Sequence, residues 1–312
     1  MSIFHSLKYP DNTVVTLYFS STINNAKFLS KTMKKIAFAT YSNTPELTPS
    51  DFLLARAAGS FAECIPAAWD DPNVEWGRFD AVIIRSTWNY HLKPNDFQAW
   101  LDRLDKLNIA AYNDTSTLRW NMDKAYLFEM DALIVPSIRA HRQNIAECID
   151  FLSSHDSPKA VLKPFISASA NRTLLLDSVS PASLSEHIGD TTALLQPYFP
   201  EVASDGEWSL MFFNGNFSHA ILKRPARGDF RVQSDFGGSA EHLEAPPDAV
   251  ITAGQILSTL DSTPLYARVD GIIRNDKFYL MELELIEPEL FIKLVPESAT
   301  AFAAALRKKL EM

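Results

Sequence analysis

Three acids and two lysines are the residues whose types and order could carry chemistry. Asp270, Glu282 and Glu284 stand in Tyr266–Leu290 (YARVDGIIRNDKFYLMELELIEPEL), where two β-prone runs flank a polar turn at Asn275 and Asp276. A carboxylate on a largely buried strand is costly unless it is paired or bound to a cation. In the second run Phe278, Leu280, Glu282 and Glu284 alternate onto one face, and Tyr279, Met281, Leu283 and Leu285 onto the other, which reads as core. A two-residue turn would set Asp270 against Met281, on the wrong face, whereas a three-residue loop (Asn275, Asp276, Lys277) sets Asp270 across from Glu282 and Arg268 across from Glu284. Converging carboxylates suit Mg²⁺, a hard cation held by a few carboxylates together with substrate phosphates. A cross-strand ion-pair ladder of Arg268 with the same acids is the competing reading, and the two are compatible.

Composition bounds the rest. With 312 residues, 46% of them hydrophobic, the chain can bury a large core divided over two or three lobes. A net charge of −9 and a pI near 5.3 argue against nucleic acid or an anionic membrane as the main partner. No apolar run approaches the roughly 18 residues that span a bilayer. Cys64 and Cys148 are isolated and form no CxxC, so a reduced, cytoplasmic protein without a required disulfide is expected. The seven histidines are scattered without ligand spacing, which argues against zinc.

The elements that must position these side chains follow in chain order. Residues 1–32 are polar, lack an apolar core for a signal peptide and end before a second methionine, Met33. They are expected as a disordered N-terminal extension from an upstream start codon, with an added edge strand from Thr13 to Phe19 as the alternative. From Met33 the pattern is α/β: a strand KKIAFAT, a helix Ser50–Ala58, a second strand Phe79–Ile84 and an amphipathic helix Asn95–Leu107 with Phe97, Trp100, Leu101 and Leu104 at helical spacing. Strand ends in open α/β sheets point at ligands, which makes Arg85, Ser86, Trp88 and Asn89 candidate substrate residues. In the competing reading Trp88 and Tyr90 only pack the domain. A capped helix from Asp114 to Met130 carries Lys124, Leu133–Pro136 (LIVP) reads as a short strand, and the strand AVLKP ends with Lys163 just before Ser167-Ala168-Ser169-Ala170-Asn171. A lysine beside such a loop can pair with phosphate while backbone N–H groups add donors. Either lysine alone reads as a solvated charge.

Further on stand LLQPYFPEV, GEWSLMFFNG and HAILKRPARGDFRVQ. Lys124, Lys163 with its small-residue loop, QPYFPE, GDFR, and the D-G-I and ELELIEPEL strings occur in an order that resembles the ATP-grasp superfamily over roughly residues 34 to 305. The resemblance is closest to the branch related to prokaryotic glutathione synthetase and the cycloserine-pathway cyclo-ligase. It implies an α/β fold of α+β lobes, with residues 33–117 as an N-terminal pre-ATP-grasp substrate domain, 118–194 as a central lid lobe and 195–312 as a C-terminal lobe bearing the metal site. It also implies that Lys124 and Lys163 contact the nucleotide phosphates, with Ser167 and Ser169 donating from the loop. Gln196, Pro197, Tyr198 and Phe199 match the adenine hinge, Glu201 or Glu207 the ribose ligand, and Lys223 and Arg231 the basic residues at the γ-phosphate and acyl phosphate. Asp270, Glu282 and Glu284 match ligands for two Mg²⁺ ions, with Mn²⁺ as an alternative. Two positions depart from the pattern: SASAN lacks the usual glycines, and Glu284 stands where an asparagine is usual.

The activity so implied is an ATP-dependent carboxylate–amine (or carboxylate–thiol) ligase working through an acyl phosphate on a small amino-acid-like or peptide substrate, with an intramolecular cyclo-ligase included. A kinase on the same fold and a nucleotide-binding protein without turnover are the alternatives. The partners implied are a small-molecule carboxylate and an amine, with no nucleic acid and no membrane, and with a homodimer left open.

Overall fold

The computed structural model describes residues 33–130, 132–155, 157–168, 172–232 and 236–311, and the backbone of two strands further upstream. Those strands, β1 (Ser6–Lys8) and β2 (Val14–Thr16), pair antiparallel with Ser6 opposite Thr16, in a compact unit of residues 1–32. Val14–Thr16 falls within the edge-strand alternative; Thr13 and residues 17–19 lie outside the described residues.

The second unit, residues 33–312, begins with a parallel sheet. β3 (Lys34–Thr40), β4 (Ala62–Ala68), β5 (Ala81–Ile84) and β6 (Ala110–Tyr112) pair in the order β4-β3-β5-β6. Strands covered on both faces read as continuous apolar runs, and Ile36–Ala39 and Ala81–Ile84 are fully buried. α1 (Pro49–Ala58) starts where the Thr48 hydroxyl accepts the Asp51 N–H and Pro49 presets φ. α2 (Pro94–Lys106) buries Phe97, Trp100, Leu101 and Leu104, as their spacing predicts. β4 is not anticipated by the sequence, because Pro66 within AECIPAA argues against a strand. It forms at the sheet edge, where a missing N–H is tolerated.

The helix expected from Asp114 to Met130 is two pieces. Asp114 caps α3 (Thr115–Asn121) by accepting the Thr117 N–H at 2.8 Å. Asp123 then accepts the Ala125 N–H, and the Lys124 N–H donates to the Phe165 carbonyl and not up a helix, so Lys124–Phe128 is a 3₁₀ turn. This break leaves the Lys124 side chain buried.

Next comes an antiparallel sheet of β7 (Ile138–Ala140), β8 (Ala160–Pro164), β9 (Leu174–Leu176) and β10 (Ala193–Pro197), ordered β7-β10-β8-β9. α4 (Ile145–Ser153) and α5 (Pro181–Ile188) cover one face through Cys148, Leu152, Leu184 and Ile188. The 194/195 boundary drawn from the sequence falls inside β10. After the short α6 (Glu201–Ser204), five antiparallel strands form the last sheet: β11 (Glu207–Phe213), β12 (Asn216–Arg224), β13 (Ser239–His242), β14 (Tyr266–Arg274) and β15 (Lys277–Glu284), ordered β13-β12-β11-β14-β15. α7 (Pro247–Ser258) packs on one face, and α8 (Ser298–Glu311) joins α1 in a shared core.

β15 is an edge strand, and its backbone is covered (an exposed edge would template pairing with another chain). LIVP does not form the expected strand. It makes one bridge, Ile134 to Leu280, in which the Val135 N–H donates to Leu280 and the Leu280 N–H to Leu133. Asn121 and Tyr126 bond the backbone of Leu283 and Leu285.

The β14–β15 hairpin departs from expectation in its turn while keeping the expected pairing. Its loop is the two residues Asn275 and Asp276, both left-handed at φ 50° and 60°, and Ile273 faces Phe278. The register then shifts between Asp270 and Gly271: Gly271 faces Leu280, Met281 is passed over, and Asp270 faces Glu282. A β-bulge, not a three-residue loop, supplies the odd residue. It also corrects the faces. Phe278, Leu280, Leu283 and Leu285 share one core, while Tyr279 and Met281 lie toward a different cluster on the side of Glu282 and Glu284.

Among the described residues, no helix is long and apolar enough to cross a membrane, and Cys64 and Cys148 are both free.

A Cβ on Gly271 would stand 2.4 Å from both the Phe278 ring and the Tyr279 carbonyl oxygen. Gly271→Ala is therefore expected to lower stability by about 1–3 kcal/mol, read as an earlier urea-unfolding midpoint. An unchanged midpoint would contradict the close approach at the bulge.

Candidate active site

A cavity of about 470 Å³ opens between the two antiparallel sheets. Both sheets spend their apolar faces on helices, which leaves polar faces to meet across the gap. Val161 and Lys163 of β8 with Gln196 and Pro197 of β10 form one wall. Glu207, Lys223, Arg268, Asp270, Glu282 and Glu284 form the other. Trp88 and Tyr90, beyond the end of β5, and the segment after β15 close one end.

Charges on the second wall interlock. Arg268 donates from Nε and Nη2 to Asp270 and from Nη2 to Glu284, and Lys223 Nζ reaches Glu207 and, at 3.2 Å, Asp270. Ser209 Oγ donates to Asp270 Oδ1 at 2.6 Å. Burial disfavours the Asp270 charge, but Arg268 and Lys223 outweigh it and hold the carboxyl down at about 2. Lys124 Nζ stands 3.0 Å from Glu282 Oε1 and donates to the Ser167 carbonyl at 2.7 Å. Burial opposes ionisation of Glu282 too, yet Lys124 and Lys163 keep its pKa low. Glu284 differs: burial, with Asp270 and Glu282 adding, pushes it up to about 7 despite Arg268. Lys163 is buried among the described residues with no carboxylate or hydrogen-bond partner, and burial holds its ammonium below the usual range. A buried cation without a partner is a site for an anion.

Arg231 lines the cavity from the GDFR loop. Asp229 holds it through Nε (3.0 Å) and Nη2 (2.8 Å), and its guanidinium lies 3.6 Å over the Phe236 ring. This clamp uses one edge of the guanidinium fork, and among the described residues nothing bonds Nη1.

The structure brings most of the sequence-derived candidates together. Lys124, Lys163, Ser167, Gln196, Pro197, Tyr198, Phe199, Glu207, Lys223, Arg231, Asp270, Glu282, Glu284 and Trp88 all line the cavity. Ser169 lies outside the described residues. Among the described residues, Arg172, just after the small-residue loop, is left-handed at φ 56°. Glu201 stands off the cavity, paired with Arg274 at 3.5 Å and with Oε2 buried and unpartnered. Arg85, Ser86 and Asn89 do not line the cavity either. Arg85 is buried against Asp51 (2.8 Å) and the Pro288 carbonyl (3.0 Å), and Asn89 bonds Trp69 and Asp70. Ser86 is fully buried with no partner for its hydroxyl. Glu287 and Glu289 of the EPEL string, and Phe291 just after it, also line the cavity, although the sequence pattern does not mark them as site residues. What signal there is lies in a third glutamate immediately beyond a strand end.

The metal expectation needs correction in its geometry. Among the described residues, no group of three or more His, Cys, Asp or Glu side chains stands where it could hold a metal ion. Arg268, Lys223 and Lys124 bond the carboxylates instead, as in the ladder reading. The donor chemistry still fits a hard divalent ion: three oxygen acids on one wall, with Glu284 incompletely compensated.

Comparison with known proteins adds to this geometry. Residues 36–113 match the family model described as D-cycloserine synthetase DcsG, N-terminal domain. The chain is 29% identical over 278 residues to the cycloserine biosynthesis protein DcsG of Streptomyces lavendulae, covering 82% of this chain and 91% of that one. The crystal structure of D-cycloserine synthetase DcsG superposes with a TM-score of 0.78 at 26% identity, over 88% of this chain and 99% of that chain. A D-alanine–D-alanine ligase from Bacillus anthracis complexed with ATP superposes with a TM-score of 0.63 at 15% identity, over 89% and 97% of the two chains, a likeness of fold. The solved ATP-grasp ligase PsnB, at 13% identity and a TM-score of 0.59, shares that fold.

Two outcomes follow from the charge pattern. Arg268→Met leaves Glu284 without a cation and Asp270 with Lys223 alone, and is expected to cost about 3–5 kcal/mol in urea unfolding; wild-type stability would show the ladder to be idle. Glu287 is raised from 4.5 to about 8, by burial first and then by the Glu284 charge. Folding therefore takes up a proton between those values, and stability falls as pH rises through that window. Glu287→Gln should flatten the fall, measured as unfolding free energy at pH 5 and pH 9; parallel profiles for both proteins would contradict it.

Proposed function

We propose that this chain, built on the ATP-grasp fold, is an ATP-dependent ligase that joins a carboxylate to an amine through an acyl phosphate. The observation that carries this reading is the cavity between two antiparallel sheets, with a partnerless buried lysine on one wall and paired cations and acids on the other. The likeness to D-cycloserine synthetase over most of both chains supports it.

In the proposed arrangement the adenine lies against Gln196–Phe199, and the triphosphate runs past Lys163 and Lys124. Lys163 gains the anion it lacks. Asp270, Glu282 and Glu284 would hold one or two Mg²⁺ ions, with Mn²⁺ as an alternative, exchanging Lys124 and Arg268 for the metal. When bound, the metal would neutralise phosphate charge. A carboxylate oxygen of the substrate attacks the γ-phosphorus, the bond to the β-phosphate oxygen breaks, and ADP departs. Arg231, held by Asp229 through Nε and Nη2, would steady the transferring phosphoryl group. An amine lone pair then attacks the acyl carbon, phosphate leaves with the C–O bonding electrons, and loss of a proton from nitrogen completes the amide. Arg231 and Lys223 would offset the oxyanion of the tetrahedral intermediate. Water must be kept out, because an acyl phosphate hydrolyses, and the central sheet with its helices would close over it. The likeness to a D-cycloserine synthetase favours an intramolecular form, with carboxylate and amine in one small molecule.

Lys163→Ala is expected to weaken ATP binding at least tenfold by calorimetry, about 1.4 kcal/mol. Its effect on apo stability should be small, because the buried ammonium makes no ion pair among the described residues and only supports the Glu282 charge from a distance. Glu282→Gln should abolish metal-dependent ADP release and slightly destabilise the apo protein by leaving Lys124 without its acid. Wild-type ATP affinity in Lys163→Ala would rule out the nucleotide site; wild-type turnover in Glu282→Gln would rule out its metal role.

A further inference from the structure

Hydrogen bonds from several elements fix Glu287–Glu289 beyond β15, and none of those that follow uses the Glu287 carboxylate. Trp88 Nε1 donates to the Glu287 carbonyl (3.3 Å), Arg85 Nη2 to the Pro288 carbonyl (3.0 Å) and Arg268 Nη1 to the Glu289 carbonyl (3.2 Å). The Glu289 carboxylate accepts from Ser50 Oγ (2.9 Å) and the Phe291 N–H (2.8 Å). The backbone beneath Glu287 is thus anchored from three directions while its side chain lines the cavity.

The other acids lining the cavity are all engaged. Glu207 has Lys223, Asp270 has Arg268 and Lys223, Glu282 has Lys124, Glu284 has Arg268, and Glu289 has the two donors just named. Among the described residues, no cation and no side-chain donor bonds Glu287. The same stretch of the cavity lining carries Trp88, whose indole bonds the Glu287 carbonyl, and the buried Tyr90. An anchored carboxylate that no cation bonds among the described residues, on a cavity wall that also carries two aromatic side chains, can take a cation from a ligand.

The chemistry narrows which cation. A nucleotide phosphate would find no cation bonded at Glu287 to receive it. A divalent metal needs several oxygen ligands, and an indole and a buried phenol wall do not supply them. A primary ammonium needs one carboxylate and gains from an aromatic face.

We propose that Glu287, with Trp88 and Tyr90, is the subsite that docks a primary ammonium group of the substrate. This rests on the ligase reading above and extends it. An amine held there as ammonium has no lone pair with which to attack, so it serves for recognition. The attacking nitrogen must then be a different one, elsewhere in the same molecule or on a second substrate.

The test compares ammonium-bearing carboxylates with their hydroxy analogues. D- and L-alanine and D- and L-serine are set against lactate and glycerate, each with Mg·ATP, reading ADP release, and with a non-hydrolysable ATP analogue, reading thermal shift. Wild type is expected to reach half-response at concentrations at least tenfold lower for an amino acid than for its hydroxy acid. Glu287→Gln should lose at least tenfold of that preference while binding ATP with wild-type Kd, and Glu287→Asp should keep part of it. A preference preserved in Glu287→Gln overturns the subsite, and so does a wild-type protein that binds ATP yet shows no preference. Failure of wild type to bind ATP overturns the ligase reading itself, and this proposal with it.

Discussion

One extra residue in one strand sets the chemistry of the whole cavity. β15 must bury Phe278 and Leu280 near the turn and Leu283 and Leu285 further along, all in the core beneath α7. Strict alternation cannot do this, because an odd step separates the pairs. The bulge opposite Asp270 and Gly271 absorbs the step, with Gly271 bare enough to let the Phe278 ring and the Tyr279 carbonyl close in. Its second consequence is that Glu282 and Glu284 emerge on the cavity side, opposite Asp270 and Arg268. Core packing and the convergence of acids are satisfied by the same irregularity.

Those acids are tolerable only because cations from other elements meet them. Arg268 on β14, Lys223 on β12 and Lys124 on a 3₁₀ turn each bond one or two carboxylates, so most of the buried charge is compensated within the wall. The compensation is uneven. Among the described residues, no acid forms an ion pair with Lys163, Glu284 is only partly balanced, and no cation bonds Glu287. These are the positions where a ligand of opposite sign changes the energy most, because a fully paired group gains little from a newcomer.

The parallel sheet takes part less directly. Of the strand-end residues after β5, Trp88 lines the cavity, whereas Arg85 works from behind, joining Asp51 of α1 to the Pro288 carbonyl. Its guanidinium also lies over the Tyr266 ring at 5.0 Å. The first lobe thereby holds the segment bearing Glu287 in place, a positioning role built on a rigid element.

Much of the site was legible in the sequence because its residue types are rare on buried strands and follow a fixed order. The strand acids and the pairing of Asp270 with Glu282 follow from alternation and register, whereas Lys124, Lys163 and Arg231 stand out only through the motif order that resembles ATP-grasp. Hydrophobic spacing likewise gave α2 with its four buried residues. What stayed hidden depends on distant partners. Arg85 meets Pro288 across 203 residues, so no local pattern marks it as structural. Pro66 masked β4, since only the sheet order shows that strand to be an edge. Periodicity can require an odd residue near the turn, but whether a loop or a bulge supplies it is settled by what packs on both faces. Glu287 is ordinary as a letter in EPEL; only the tertiary structure shows its neighbours taken and its own carboxylate left over.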